Sequence, residues 1–245
     1  TTIDDPTLYF QAKTYTGTGS SNSVTLDGDT NMQPDWVWIK NRSTGYSHQL
    51  YDVLRGVTKR IFSDLTTAEE TDTNALTAFN SDGFTVGSNV GVNENTSNHV
   101  AWNWKGGGSG SSNSNGSITS SVSASTAAGF SVVSWTGSGS AATIGHGLGA
   151  TPKCIIVKNK TDTVNWFVYN TSVITAGATN KSFMTLNVSD ALGTNGSATT
   201  FTSVSSTTFG VGTDNIINGS SDSMIAYVIA EKQGYSKVGG SYVGN

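Results

Sequence analysis

The chain has 245 residues, a formal net charge of −4, 12 % charged residues and a single cysteine. No apolar run approaches the ~20 residues of a membrane-spanning helix, no signal-peptide pattern opens the chain, and the densest basic stretch, Arg55 to Arg60, holds three cations, too few for a nucleic-acid footprint. Six Trp, eight Tyr and nine Phe supply more burial than a solvating Gly/Ser tract carries, so the composition points to a folded chain of short strands and polar turns.

In chain order, period-two alternation bounded by Gly and Asn/Asp clusters predicts strands near 8–16, 22–26, 35–42, 47–54, 59–65, 76–80, 83–87 and 98–105. The polar segment 67–77, with Glu69, Glu70, Asp72 and Asn74, reads as a loop or a short helical turn. Alternation places Trp36, Trp38 and Lys40 on one face of their strand, and Trp102 and Trp104 on one face of theirs. Residues 106–116 read as a flexible Gly/Ser linker. The alternating run from Ser117 to Ser123 reads as a strand belonging to the second half of the chain.

That second half is a copy of the first. Tyr9 to Ser20 aligns on Gly129 to Ser140 at an offset of 120, and Pro34 to Arg42 on Pro152 to Lys160 at 118. Phe84-Thr85-Val86-Gly87 meets Phe209-Gly210-Val211-Gly212, and Val100-Ala101-Trp102 meets Ile225-Ala226-Tyr227, both at 125. Offsets that change only between blocks are the mark of loop insertions in a repeat. Gly234-Tyr235-Ser236 repeats the opening of the second copy, so a third copy is expected to begin at 234 and the parent chain to continue. The expected architecture is all-β: two antiparallel sandwiches of jelly-roll or lectin-like type, at 1–105 and 117–233, joined by 106–116 and succeeded by the start of a third repeat at 234–245.

Few residues carry chemistry in a repeated pattern. His48, His99 and His146 have no duplicated partner, no Gly-x-Ser-x-Gly elbow occurs, and the carboxylates Glu69, Glu70, Asp72, Asp82 and Glu94 suit a solvated loop better than a glycosidase pair. Cys154, within an apolar run, reads as a small buried hydrophobe. Asp27, Asp29 and Asn31 have the spacing that begins a calcium loop, but Met32 stands where the turn glycine belongs, and an ordinary Asp/Asn-Gly turn is favoured. Sequons such as Asn41-Arg42-Ser43 and Asn187-Val188-Ser189 arise by chance in a chain so rich in Asn, Ser and Thr. Aromatic faces that stack on sugar rings are the remaining clue; Trp104 and Trp166 are the candidates for an exposed platform, while Trp36, Trp38 and Trp102 suit a core. No catalytic residue and no cofactor is implied.

The blocks Pro34-Asp35-Trp36-Val37-Trp38-Ile39-Lys40-Asn41-Arg42, Leu50-Tyr51-Asp52-Val53-Leu54-Arg55-Gly56, Phe79-Asn80-Ser81-Asp82-Gly83-Phe84 and Val100-Ala101-Trp102-Asn103-Trp104-Lys105 resemble tandem repeats in tail-fibre and virion structural proteins of marine, especially cyanobacterial, phages. Gly145-His146-Gly147-Leu148-Gly149-Ala150 and Gly234-Tyr235-Ser236-Lys237 resemble the companion repeat of the same proteins. The resemblance implies an extracellular, virion-borne, non-enzymatic β protein. Its expected partners are other virion proteins, copies of itself in a homo-oligomer, and a host-surface glycan or protein, with no nucleic acid and no membrane. A capsid decoration or filament subunit is the alternative; an enzyme acting on surface polysaccharide is a distant third.

Overall fold

The computed structural model describes residues 3–177, 183–193 and 200–239. The chain is all-β, and the described residues form antiparallel open sheets, a 3-10 turn at Pro6–Leu8 and two single-turn α-helices. In the first half the strands are β1 (Phe10–Thr16), β2 (Asn22–Val24), β3 (Trp36–Asn41), β4 (Gln49–Asp52), β5 (Lys59–Phe62), β6 (Glu70–Thr71), β7 (Leu76–Asn80), β8 (Gly83–Val86) and β9 (Asn98–Trp104), with α1 (Val90–Asn93) before the last. In the second half they are β10 (Ser111–Asn113), β11 (Ser120–Ser125), β12 (Phe130–Thr136), β13 (Ala142–Gly145), β14 (Cys154–Asn159), β15 (Phe167–Asn170), β16 (Met184–Thr185), β17 (Phe201–Val204), β18 (Thr208–Val211) and β19 (Ser223–Ile229), with α2 (Asn215–Asn218).

The large sheet of the first half runs β1-β9-β3-β4-β5-β6, and a small sheet runs β2-β8-β7. The second half has β10-β11-β12-β19-β14-β15-β16 and β13-β18-β17. Residues matched in the sequence therefore fall on strands that occupy the same places in their sheets. Each half buries an apolar cluster drawn from both of its sheets: Val37, Ile39, Leu76, Phe84, Val86 and Ala101 in the first; Val133, Ile155, Val157, Phe209, Val211 and Ala226 in the second. These are the residues that alternation sets on one face of each strand.

Residues common to both halves build the loops. The Lys40 ammonium donates to the carbonyls of Asn41, Thr44 and Tyr46; Lys158 donates to those of Asn159, Asp162 and Val164. The Asn41 and Asn159 side chains each accept two backbone N–H groups of the same loop. Asn93 and Asn218 tie α1 and α2 to the loops after β1 and β12, donating to Ser20 O and Gly87 O in one half and to Ser140 O and Gly212 O in the other. Gly17 and Gly137 are required for one reason: a Cβ at either would lie 2.0 or 2.1 Å from a backbone oxygen, of Glu94 or Gly219 respectively.

Three expectations change. Segment 67–77 contains a strand, β6, rather than a helical turn, and α1 and α2 fall where no helix was expected. Four residues offer too little periodicity to signal a helix, although Asn89 and Asp214 cap these turns by accepting the N–H of Gly91 and Ile216. The connection 106–116 carries a strand, β10, and is hydrogen-bonded to both halves. The Gly106 and Gly108 N–H groups donate to the buried Asp35 carboxylate at 2.8 and 3.1 Å, and Ser111–Asn113 pairs with β11. Residues 240–245 of the expected third copy lie outside the described residues; before them, Tyr235 packs on Tyr9 with ring centroids 6.1 Å apart.

Candidate functional site

The outer faces of the two large sheets meet in a third apolar cluster, and this seam gathers four of the five tryptophans singled out in the sequence, Trp36, Trp38, Trp104 and Trp166. β3 and β9 pair so that Trp36 opposes Trp104 and Trp38 opposes Trp102. This puts four indoles on one face of the first half. The second half answers with Phe130, Val132, Ile225, Tyr227 and Trp166. Trp36 sits at the centre, 1 % exposed, with ring centroids 4.2 Å from Trp104, 4.1 Å from Tyr227 and 5.5 Å from Phe130. Stacked aromatics at such distances contribute beyond their buried area.

Of the two tryptophans expected to form an exposed platform, Trp166 is wholly buried, and its indole N–H donates to the Phe62 carbonyl across the seam at 2.8 Å. The other half covers its ring, so Trp166 is a packing residue. Trp104 is half-buried. One side lies on Trp36, and the indole lines an apolar pocket of about 220 Å³ with Phe10, Ala128, Phe130, Ile229, Tyr235 and Ser236. Burial pushes the Tyr235 hydroxyl up to about 12.

Elsewhere along the seam lies an open groove of about 420 Å³ with a different character. The first half contributes Trp38, His48, Ser63 and Asp64; the second contributes Leu186, Asn187, Val188 and Ser189. The Trp38 indole N–H donates to His48 Nδ1 at 2.8 Å, and the His48 backbone N–H donates to Asp64 Oδ1 at 3.1 Å. An Nδ1 that accepts belongs to a neutral ring with its proton on Nε2. Burial lowers the His48 pKa, with Lys40 adding to the effect and Asp64 opposing it. Asn187 accepts the Trp166 backbone N–H and donates to Asn165 Oδ1, which fixes its amide at the groove wall.

A buried ionic network also joins the halves. Asp52 Oδ2 accepts from Arg55 Nε at 2.6 Å and from the Tyr227 hydroxyl at 2.9 Å, while Arg55 also donates to the carbonyls of Leu50 and Lys59. Both charged side chains are fully buried. Burial is the largest influence on Arg55 and opposes its charge, but Asp52, Tyr227 and Glu69 together raise its pKa. Burial likewise raises the Tyr227 hydroxyl, with Asp52 adding to it. The sequence offered one signal of this network: Arg55 and Asp52 correspond to Val173 and Asn170, so the charges belong to one copy alone.

The remaining candidates lie apart. Asp27 pairs with Lys13 at 2.9 Å, and Met32, in the expected calcium-loop turn, is buried with its N–H donating to Asp82. Asp29 and Asn31 are exposed on the same turn; among the described residues no group of three or more His, Cys, Asp and Glu converges on a metal position. Glu70 and Asp72 both pair with Arg60, at 2.9 and 2.7 Å. Glu94 accepts from Asn41, Thr44 and Ser97, which hold its carboxyl below the usual range. Cys154 is half-buried, and burial pushes its thiol up to about 11. Asn41, in the first sequon, is fully buried.

Open antiparallel sheets, with a seam carrying one aromatic pocket and one polar groove, define an all-β protein. The chain belongs to the family described as a domain of unknown function, DUF7483, whose model matches residues 5–245 and so runs through both halves. No curated protein and no solved structure matches the chain.

Proposed function

We propose that this chain is a non-enzymatic structural module of a virion, part of a tail fibre or appendage, that contributes to attachment to a host surface. On this reading it is a pair of tandem antiparallel sandwiches related by an internal repeat. Its partners are other virion proteins, further copies of itself, and a surface glycan or protein. The observation that carries the reading is the seam. Two units of matching strand order are joined face to face through Trp36, Tyr227 and Phe130, and their connection is bound to Asp35 rather than left loose. A stiff pair suits an element that holds binding surfaces at fixed spacing, where weak copies gain strength by avidity. The residues common to both halves, Lys40 and Lys158, Asn41 and Asn159, Asn93 and Asn218, are committed to loop geometry.

The test is to locate the chain in the assembled particle by gold-labelled antibody and electron cryo-microscopy, and to measure binding of the purified chain to cells that the particle infects. Label on a fibre or appendage, with binding that competes with infection, is expected. Label confined to the particle interior, or absent from the particle, overturns the reading.

A further inference from the structure

We propose that the groove between Trp38 and Asn187 is a binding site for a neutral pyranose ring, one that both halves must build together. This rests on the attachment reading above and names its ligand class. The Trp38 indole lines the groove with its N–H already satisfied by His48 Nδ1, so what it offers a ligand is its apolar ring. The C–H face of a sugar packs on such a surface, as other apolar groups do on aromatic rings. Around it stand the groups that read hydroxyls: the exposed Asp64 carboxylate, the Ser63 and Ser189 hydroxyls and the Asn187 amide. A few placed polar groups around an apolar surface are the usual make-up of a small-ligand site. The pattern of ion pairs decides the charge of the ligand. Asp64 makes no salt bridge among the described residues, and no Lys or Arg lines the groove, so an anionic sugar would meet an uncompensated carboxylate.

The pocket beside Trp104 differs in this respect. Aromatic and aliphatic carbons line it, with Ser236, the Tyr235 hydroxyl and the Trp104 indole N–H as its side-chain polar groups and no carboxylate or amide side chain. It has an apolar wall but few groups to read a ring of hydroxyls. The sugar-stacking chemistry expected at Trp104 and Trp166 is thus better matched at Trp38. There the first half supplies the ring and the carboxylate, and the second supplies the amide.

The experiment uses the intact chain, titrated with the methyl glycosides of glucose, galactose and mannose and with glucuronic acid. Binding is read by tryptophan fluorescence and by saturation-transfer NMR. A monosaccharide of a dozen heavy atoms is expected to bind with Kd about 1 mM, with at least one neutral glycoside saturating and glucuronic acid silent. Val188 is 40 % exposed on the groove rim, so Val188→Arg fills the groove without touching the core. It should weaken binding at least tenfold, as should Trp38→Ala, and Asp64→Asn should weaken it several-fold. Ser236→Ala, beside Trp104, should leave binding unchanged. Loss of binding in Trp38→Ala counts only if Val188→Arg, with unaltered thermal unfolding, shows the same loss. No saturable signal with any neutral glycoside, a preference for glucuronic acid, or binding that survives Val188→Arg overturns the proposal. Cell binding that persists in Val188→Arg overturns the sugar groove but keeps the attachment reading; no cell binding by the parent chain overturns the attachment reading, whatever the sugars do.

Discussion

The two halves share strand order and loop chemistry but differ on the faces they turn to each other. The first half presents Trp36, Trp38, Trp102 and Trp104; the corresponding positions of the second are Cys154, Ile156, Tyr227 and Ile229. In the sequence alone, the aliphatic counterparts suggest a core role for these indoles without saying what covers them. The structure supplies that cover: the faces pack on each other, and two surfaces in contact must be complementary rather than alike. The copies thus differ across the seam, while Lys40 and Lys158, Asn41 and Asn159, and Asn93 and Asn218, which shape loops within each half, stay paired. One exchange within the halves shows the same logic. Asn41 donates to Glu94 at 3.0 Å, whereas Asn159 donates to Asp222 at 2.8 Å, an acid three positions further along the repeat. Gly219 fills the position of Glu94, where a Cβ would lie 1.9 Å from the Asp222 carboxylate.

The largest test of this asymmetry is Trp36→Ala. Removing a fully buried indole from the seam centre should cost about 4 kcal/mol, whereas Cys154→Ala, at the matching position, should cost about 1 kcal/mol or less. Urea unfolding of both variants measures the difference; equal losses would mean that the seam is not where the halves differ in energy. Arg55→Met strands the buried Asp52 carboxylate and should cost about 3 kcal/mol. Val173→Met, at the matching position, should stay within about 1 kcal/mol.

The shared framework predicts the opposite, equality. Gly17→Ala and Gly137→Ala each force a methyl against a backbone oxygen and should each destabilise by about 2 kcal/mol, the two values agreeing within error. The smallest effect is one of pH. Burial lowers the pKa of His48, His99 and His146 below the ordinary 6.5, so the unfolded chain binds protons first. Their stabilising contribution is complete above pH ~6.5 and is lost as pH falls through the folded values. The melting temperature should decline on acidification below that point, and His99→Gln should flatten the decline.

Strands were legible because alternation is local: all eight expected in the first half are present, with ends trimmed by up to three residues. Three features were not legible, because their causes are distant in sequence. The connection looked flexible because it is glycine-rich, yet a Cβ on Gly106 would lie 2.8 Å from Ser123 Oγ, and one on Gly107 would lie 2.6 Å from Ala124 O. Close approach, not freedom, requires glycine there. Trp166 comes after polar residues and looked exposed, but Phe62, 104 positions earlier, supplies its hydrogen-bond acceptor. The Trp38 groove draws its walls from residues 48–64 and 186–189, which no periodicity joins.

The bound connection also bears on mechanics. A chain with a loose tether between two independent units yields to tension in two separate steps, extending the tether first. Here Asp35 holds Gly106 and Gly108, β10 and β11 extend the sheet of the second half, and Trp36 is clamped between the units. The connection thus leaves no unbonded tether between the halves that could extend before either half unfolds.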